Sequence, residues 1–431
     1  MRSFWLFTIF FSFLLTSSSY AADNCIRLHC YHYDPNDPYV DPEDDELFKF
    51  VVAPKKICGT KAGRFFIAAA EHSYKESQAL CEKEIPRGHK ILRMRAHQST
   101  KREYPISFGE QARTNSVFKR IVVFGDSLSE EGKAVSLLKR LHHPVIGAVL
   151  ACFADIADCP IPERFMELGL KPYWNGMFSN GPVWPIYLSM FLDNIAVDNY
   201  SFGGATTGKR KCRVRHLQQM VDKHLERNKH NKKLEDNLYV ILMGGNNYFL
   251  ADGRVKPRLT EQERDQTVAK AMSDIEEAVN RLFSKGARHI LLFTMANPKA
   301  SPKWEFSHSS DSLDVEKEEW HKSIELHNKE LKRLAPRMGE KWGLSVYLFD
   351  SEANWNEYAE RLAVDTNTTW RHSTLSREEI LQKPGFFDPI HPTTRIHCEI
   401  ARQLLDYLYS SKLVEPTQYL PDCTETVNQF R

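Results

Sequence analysis

Past residue 119 the chain gathers β-branched and aromatic residues into short runs, Lys119–Gly125, Leu238–Met243, Ile290–Thr294 and Ser345–Phe349, and separates them by stretches of helical periodicity. Thr260 and Glu263 form a Thr-x-x-Glu capping box, after which Val268, Met272, Ile275, Val279 and Leu282 recur at helical spacing. Gly286 closes that element as a glycine just past the last turn. Two more helices are expected over Asp314–Leu334 and over Thr394–Leu408, the latter with Ile396, Ile400 and Leu404 on one face. Strands alternating with helices imply an α/β fold, a parallel sheet covered on both sides. Folds of that class gather their chemistry at the carboxyl ends of the strands.

The residues ahead of this pattern read differently. Arg2, the apolar stretch Phe4–Leu15 and the small residues up to Ala22 describe a secretory leader over residues 1–21, with Ser19 and Ala21 as the small residues before the cut. A membrane anchor would need about 20 apolar residues, more than this run supplies. Cys25 lacks the small apolar box of a lipoprotein. Residues 22–115 are expected to form a small cysteine-containing domain. Within it, 34–45 is a Pro- and Asp-rich loop without the frame of a calcium site, Arg64–Ile67 reads as a strand, and Ala69–Ile85 reads as a helix. The polar stretch from His97 to Ser116 has no sustained periodicity and marks the boundary with residues 116–431.

Nine cysteines in an exported chain leave room for four internal disulfides. Candidates close in sequence are Cys25 with Cys30, Cys58 with Cys81, and Cys152 with Cys159. The alternative for Cys25, His29, Cys30 and His32, a metal site, lacks the spacing of a known zinc module and ranks below the disulfide reading. With 58 basic against 56 acidic residues, no domain-wide positive face argues for nucleic acid.

The run Ile121–Ser129 stops at Gly125 and delivers Ser127 immediately afterwards. A serine hydroxyl attacks only if a base takes its proton, and the base works best when a third group fixes its tautomer. Asp388 and His391, three apart on a proline-stiffened loop before the last expected helix, supply both; His397, inside that helix, is the weaker histidine. Acyl transfer also needs donors for the oxyanion. Gly204, in the glycine turn Asn199–Gly208, and Asn246, in Gly244-Gly-Asn-Asn247 after another strand, are the candidates, with the N–H of Ser127 as a third.

Four such blocks in this order resemble the GDSL, or SGNH, hydrolase superfamily. The matching residues are Gly125-Asp-Ser-Leu-Ser129, Asn199–Gly208, Gly244-Gly-Asn246 and Asp388-Pro-Ile-His391. Phe178-Ser-Asn-Gly-Pro-Val-Trp184 and Gly203-Gly-Ala-Thr-Thr207 are similar to its bacterial secreted branch of phospholipases, thermolabile (lecithin-dependent) hemolysins and glycerophospholipid:cholesterol acyltransferases. The resemblance implies a three-layer α/β/α, flavodoxin-like parallel sheet behind a smaller N-terminal domain. It implies a secreted serine esterase acting on acyl esters of glycerophospholipids or lysophospholipids at a membrane surface, with a sterol as a second acyl acceptor and no metal or organic cofactor. Three departures stand out: the third block ends Asn246-Asn247 where the family pattern has Asn-Asp, Glu130-Glu-Gly-Lys133 replaces Asp-x-Gly-Asn, and an insertion lies near 141–171.

Two patterns mislead. Gly203–Lys209 nearly spells a phosphate loop, but Arg210 stands where Ser or Thr would hold magnesium. Lys209–Arg215 carries five positive charges, and a solvated loop is the default reading over one that attracts anionic lipid. Two rival functions remain: a carbohydrate or short-chain ester deacylase on the same scaffold, and an inactive binding protein or adhesin.

Overall fold

The computed structural model describes residues 25–33, 50–52, 57–58, 74–98, 102–105, 116–132, 177–192, 195–210, 215–229, 233–249, 259–297, 301, 310–370, 375, 377–416 and 420–428. The leader, the acidic loop 34–45, the strand expected at 64–67, the insertion with Cys152 and Cys159, and residues 211–214 of the basic run lie outside them.

The N-terminal part is an antiparallel sheet of β1 (Cys25–Tyr33), β2 (Phe50–Val52), β3 (Ile57–Cys58), β4 (Lys90–Gln98) and β5 (Arg102–Pro105), in the order β2-β1-β4-β5 with β3 also on β1. Helix α1 (Tyr74–Glu84) is tied to β1 by a disulfide between Cys30 and Cys81. That bond overturns both expected local pairings, Cys25 with Cys30 and Cys58 with Cys81, and removes Cys30 from any metal cluster. Helix packing explains the exchange: α1 lies against β1, and Cys30 and Cys81 are both fully buried, so contact between helix and sheet sets the pair rather than closeness along the chain. The stretch beginning at His97, expected to be a structureless boundary, contains the end of β4 and all of β5, paired from Arg95 with Pro105 to Gln98 with Arg102.

The rest is built on a parallel sheet of β6 (Arg120–Gly125), β7 (Ala196–Asn199), β8 (Asn237–Leu242), β9 (His289–Phe293) and β10 (Ser345–Phe349), ordered β10-β9-β8-β6-β7. A small parallel pair, β11 (Asp365–Thr369) and β12 (Gly385–Phe386), stands apart. The helices are α2 (Trp184–Phe191), α3 (Leu217–Arg227), α4 (Glu261–Ser284), α5 (Ser310–Trp342), α6 (Ser351–Arg361), α7 (Arg377–Leu381), α8 (Thr394–Ser410) and α9 (Cys423–Asn428).

Alternation along each strand sorts the core into two layers. Val122, Phe124, Tyr239, Ile241, Ile290 and Leu292 pack with residues of α3, α4 and α5. Ile121, Val123, Leu238, Val240, Leu291 and Phe293 pack with residues of α2, α8 and α9 on the other face. Residues 121 to 124 are all fully buried, as a strand covered on both faces requires. The α/β/α sandwich expected from the alternation is therefore present.

The strands lie within one residue of their expected bounds, and the Thr260 capping box is closed in both directions, Glu263 N–H to Thr260 Oγ1 at 3.2 Å and Thr260 N–H to Glu263 Oε2 at 2.9 Å. Helix α5 outruns its expected span at both ends and carries Pro336 inside it. Strand β7 was not expected, because Ala-Val-Asp-Asn puts a charge in a four-residue run; Arg120 on β6 neutralises Asp198 at 2.9 Å. The order β7-β6-β8 shapes the carboxyl end of the sheet. After β6 the chain steps outward to β7 and then back past β6 to β8, so the connections diverge between β6 and β8 and leave a crevice there.

Candidate active site

Ser127 follows β6 at that crevice. Asp126 turns the chain there: its Oδ1 accepts from Leu128 N–H at 3.1 Å, its carbonyl accepts from Ser129 N–H at 3.1 Å, and Ser127 is left at the turn's apex, partly exposed. Behind the turn, Ser129 is held by Asn199 Nδ2 on its carbonyl at 2.6 Å and by Trp184 Nε1 on its hydroxyl at 3.0 Å.

His391 reaches the serine from 264 residues away, with Nε2 2.9 Å from Ser127 Oγ. Its Nδ1 lies 2.7 Å from Asp388 Oδ2. The other carboxylate oxygen of Asp388 accepts from the backbone N–H of Ile390 at 2.8 Å and of His391 at 2.7 Å, so one fully buried carboxylate fixes both the loop and the ring. The serine, imidazole and carboxylate expected from sequence are thus a continuous hydrogen-bonded chain. It can carry the hydroxyl proton to His391 and hold the imidazolium that results.

The segment Phe178–Trp184 is the seat of the histidine loop. Phe178 stacks on the His391 ring with centroids 4.9 Å apart, Ser179 Oγ donates to Pro392 O at 2.9 Å, and Asn180 Oδ1 accepts from Thr394 N–H at 2.8 Å. Thr394 is the first residue of α8, whose own N-cap, Thr393, makes no side-chain cap. A helix start leaves N–H groups without intrahelical partners, and Asn180 serves one of them from a distant part of the chain. Sequence reasoning treated this segment as a branch signature and missed its contact with the histidine.

Asn246 lies in a 3₁₀ turn, Gly245–Tyr248, after β8. Its Nδ2 donates to Asp126 Oδ2 at 3.2 Å, which aims one amide proton and leaves the second for another acceptor. The turn after β7 is pinned to the serine strand by Phe202 N–H on Gly125 O at 3.1 Å, and Gly204 within it adopts φ +74°, a left-handed conformation suited to glycine. Gly204 is joined to the site through this backbone ladder, Asn246 through Asp126. Asp126 itself was overlooked as a site residue. Burial pushes its carboxyl up to about 6, against the Leu128 N–H and the charge of His391, which hold it down. His397 is fully buried, its ring nitrogens make no hydrogen bond, and burial, with His391 nearby, lowers it to about 3. It is a packing residue of α8, in keeping with its lower rank.

An apolar cavity opens beside Ser127 and crosses the carboxyl ends of four strands, lined among others by Leu242, Phe293, Phe349, Trp355 and Ile400. Among the described residues, no cluster of three or more His, Cys, Asp or Glu could hold a metal ion.

The family model described as GDSL-like Lipase/Acylhydrolase matches residues 121–404. Phosphatidylcholine-sterol acyltransferase of Aeromonas hydrophila is 27% identical over 357 residues, 70% of this chain and 93% of that protein. Thermolabile hemolysin of Vibrio parahaemolyticus serotype O3:K6 is 23% identical over 252 residues, 54% of this chain and 56% of that protein. Among solved structures, the extracellular lipase of Streptomyces rimosus is 11% identical with a TM-score of 0.34, covering 67% of this chain and 99% of the other.

Proposed function

The chain belongs to the GDSL-like lipase/acylhydrolase family and is a GDSL-type hydrolase, and from that premise we propose that it cleaves acyl esters of glycerophospholipids or lysophospholipids through an acyl-Ser127 intermediate. His391 takes the Ser127 proton as Oγ attacks the ester carbonyl, and Asp388 holds the ring in the productive tautomer. The oxyanion is received by Asn246 Nδ2 and by the backbone N–H groups of Gly204 and Ser127. The tetrahedral intermediate collapses with the proton returned from His391 to the departing alcohol, and a water activated by the same imidazole releases the fatty acid. A sterol hydroxyl in place of that water completes an acyl transfer, the reaction named for the Aeromonas relative.

The cavity beside Ser127 supports a lipid over a short-chain or carbohydrate ester, since the surface it presents is mostly apolar and suits a hydrocarbon tail, although polar side chains such as Asn297, Asn354 and Gln403 also line it. The disulfides Cys30–Cys81 and Cys398–Cys423 fit an exported protein, and among the described residues no helix is long and apolar enough to cross a membrane. On the disulfides and the lipid-ester reading together, we assign its site of action to a lipid surface outside the cytoplasm.

The test is fatty-acid release from phosphatidylcholine vesicles, with and without cholesterol, by wild type and Ser127→Ala. Release by wild type alone is expected, with cholesteryl ester formed when the sterol is present. Equal release by both proteins would end the assignment. Covalent labelling of Ser127 by a fluorophosphonate separates an active enzyme from an inert scaffold.

A further inference from the structure

Two turns approach Ser127 from neighbouring strands, 201–208 after β7 and 244–248 after β8, and each carries one of the donors assigned above, Gly204 and Asn246. The side chain that joins the turns belongs to a different residue. Asn247 is buried, its Oδ1 accepts from Thr207 N–H at 3.1 Å, and its Nδ2 donates to Thr207 Oγ1 at 2.6 Å. The Thr207 hydroxyl passes its own proton to Asp274 Oδ2 at 3.0 Å, a carboxylate buried on α4 whose other oxygen is paired with Lys270. Gly208 lets α4 come this near, since a Cβ there would stand 2.3 Å from Asp274 Oδ2.

The direction of these bonds is forced. A hydroxyl has one proton to give, and the Asp274 carboxylate, paired with Lys270, can only accept. Thr207 Oγ1 must therefore receive its other bond from a donor. The group at 247 has to accept from Thr207 N–H as well, and an amide does both where a carboxylate does one. The unusual second asparagine of the third block is thus dictated by the buried acid on α4.

We propose that Asn247, acting through Thr207 and Asp274, is the positioning residue that sets the spacing between the two oxyanion arms. This rests on the reading of Gly204 and Asn246 as the donors. An error of roughly 1 Å in such a spacing costs about 10²-fold in rate, so the clasp governs turnover while leaving substrate affinity alone.

The experiment measures kcat and KM on p-nitrophenyl decanoate for Asn247→Asp, for the double variant Asn247→Asp with Asp274→Asn, and for Thr207→Val and Thr207→Ser, each checked for folding by circular dichroism. Asn247→Asp sets two carboxylates against one hydroxyl proton and is expected to lower kcat by about 30-fold or more with KM within about 2-fold. The double variant exchanges amide and acid, so the relay runs backwards, from an amide on α4 through the Thr207 hydroxyl to a carboxylate on the turn after β8. It is expected to recover at least about 10-fold of the loss. Thr207→Ser keeps the hydroxyl and is expected to exceed Thr207→Val by about 10-fold, which reads the same clasp if Asn247→Asp does not fold. Wild-type kcat in Asn247→Asp, a folded double variant no faster than the single one, or equal rates for the two Thr207 variants would each overturn the proposal. Ser127→Ala and Asn246→Ala run alongside: wild-type rates there would bring down the functional reading itself, whereas their loss beside an unaffected Asn247→Asp would bring down the clasp alone.

Discussion

Asp126 is held in a place that disfavours its charge. Burial raises its carboxyl to about 6 from 3.8, so the folded protein binds an extra proton between those values that the unfolded chain does not. Stability from the neutral acid is present below about pH 4 and is lost as pH rises through about 6, a swing of about 3 kcal/mol. Asp126→Asn removes that swing. Urea unfolding of wild type and variant is expected to show the variant gaining about 3 kcal/mol on wild type between pH 3.5 and pH 8, whatever its offset at the lower pH. A difference independent of pH would mean the carboxyl titrates normally. The strain has a use, since the ionised acid aims the Asn246 amide, and protonation would remove the better acceptor.

At the scale of elements, α8 is a helix whose first turn is completed by another part of the chain. Asn180→Ala leaves Thr394 N–H buried without a partner and frees Ile380 O from the Asn180 amide at 3.2 Å. A loss of about 1 to 3 kcal/mol is expected by thermal or urea unfolding. Because the His391 loop feeds directly into this turn, kcat is expected to fall by about 10-fold while KM holds. The sequence made α8 and the central strands legible because one face or both must be apolar, and periodicity records that demand. It also made Ser127, Asp388, His391 and Asn246 legible, since each stands at a strand end or on a stiff loop where its residue type has few structural uses. Strand β7 was hidden because Asp198 is balanced by a partner on another strand, and Phe178 and Asn180 because their contacts lie more than 200 residues away. In the N-terminal sheet, Ile26, Leu28 and Cys30 alternate with Arg27 and His29 as a strand should, yet the cysteine spacing points to local disulfides, with a metal site as the lesser alternative, and not to a strand. The disulfide partners were set by helix packing, α1 on β1 for Cys30 with Cys81 and α8 against α9 for Cys398 with Cys423, which local spacing cannot reveal.

For the molecule as a whole, the apolar cavity runs across the ends of β6, β8, β9 and β10, three strand spacings or roughly 14 Å, enough for an extended chain of roughly ten carbons. Activity on p-nitrophenyl esters is therefore expected to rise with acyl length up to about ten carbons and to level off beyond, each buried methylene contributing about 0.8 kcal/mol or less. Maximal rate on the acetate would instead indicate a short-chain esterase. The long reach between Ser127 and His391 has a temporal meaning as well. A ribosome delivers the nucleophile early and its base 264 residues later, so a growing polypeptide carries a complete sheet edge before it carries any means of activating the serine. The proton relay can assemble only once residue 391 has been made, and a truncated product ending before it is expected to show no esterase activity in a p-nitrophenyl ester assay.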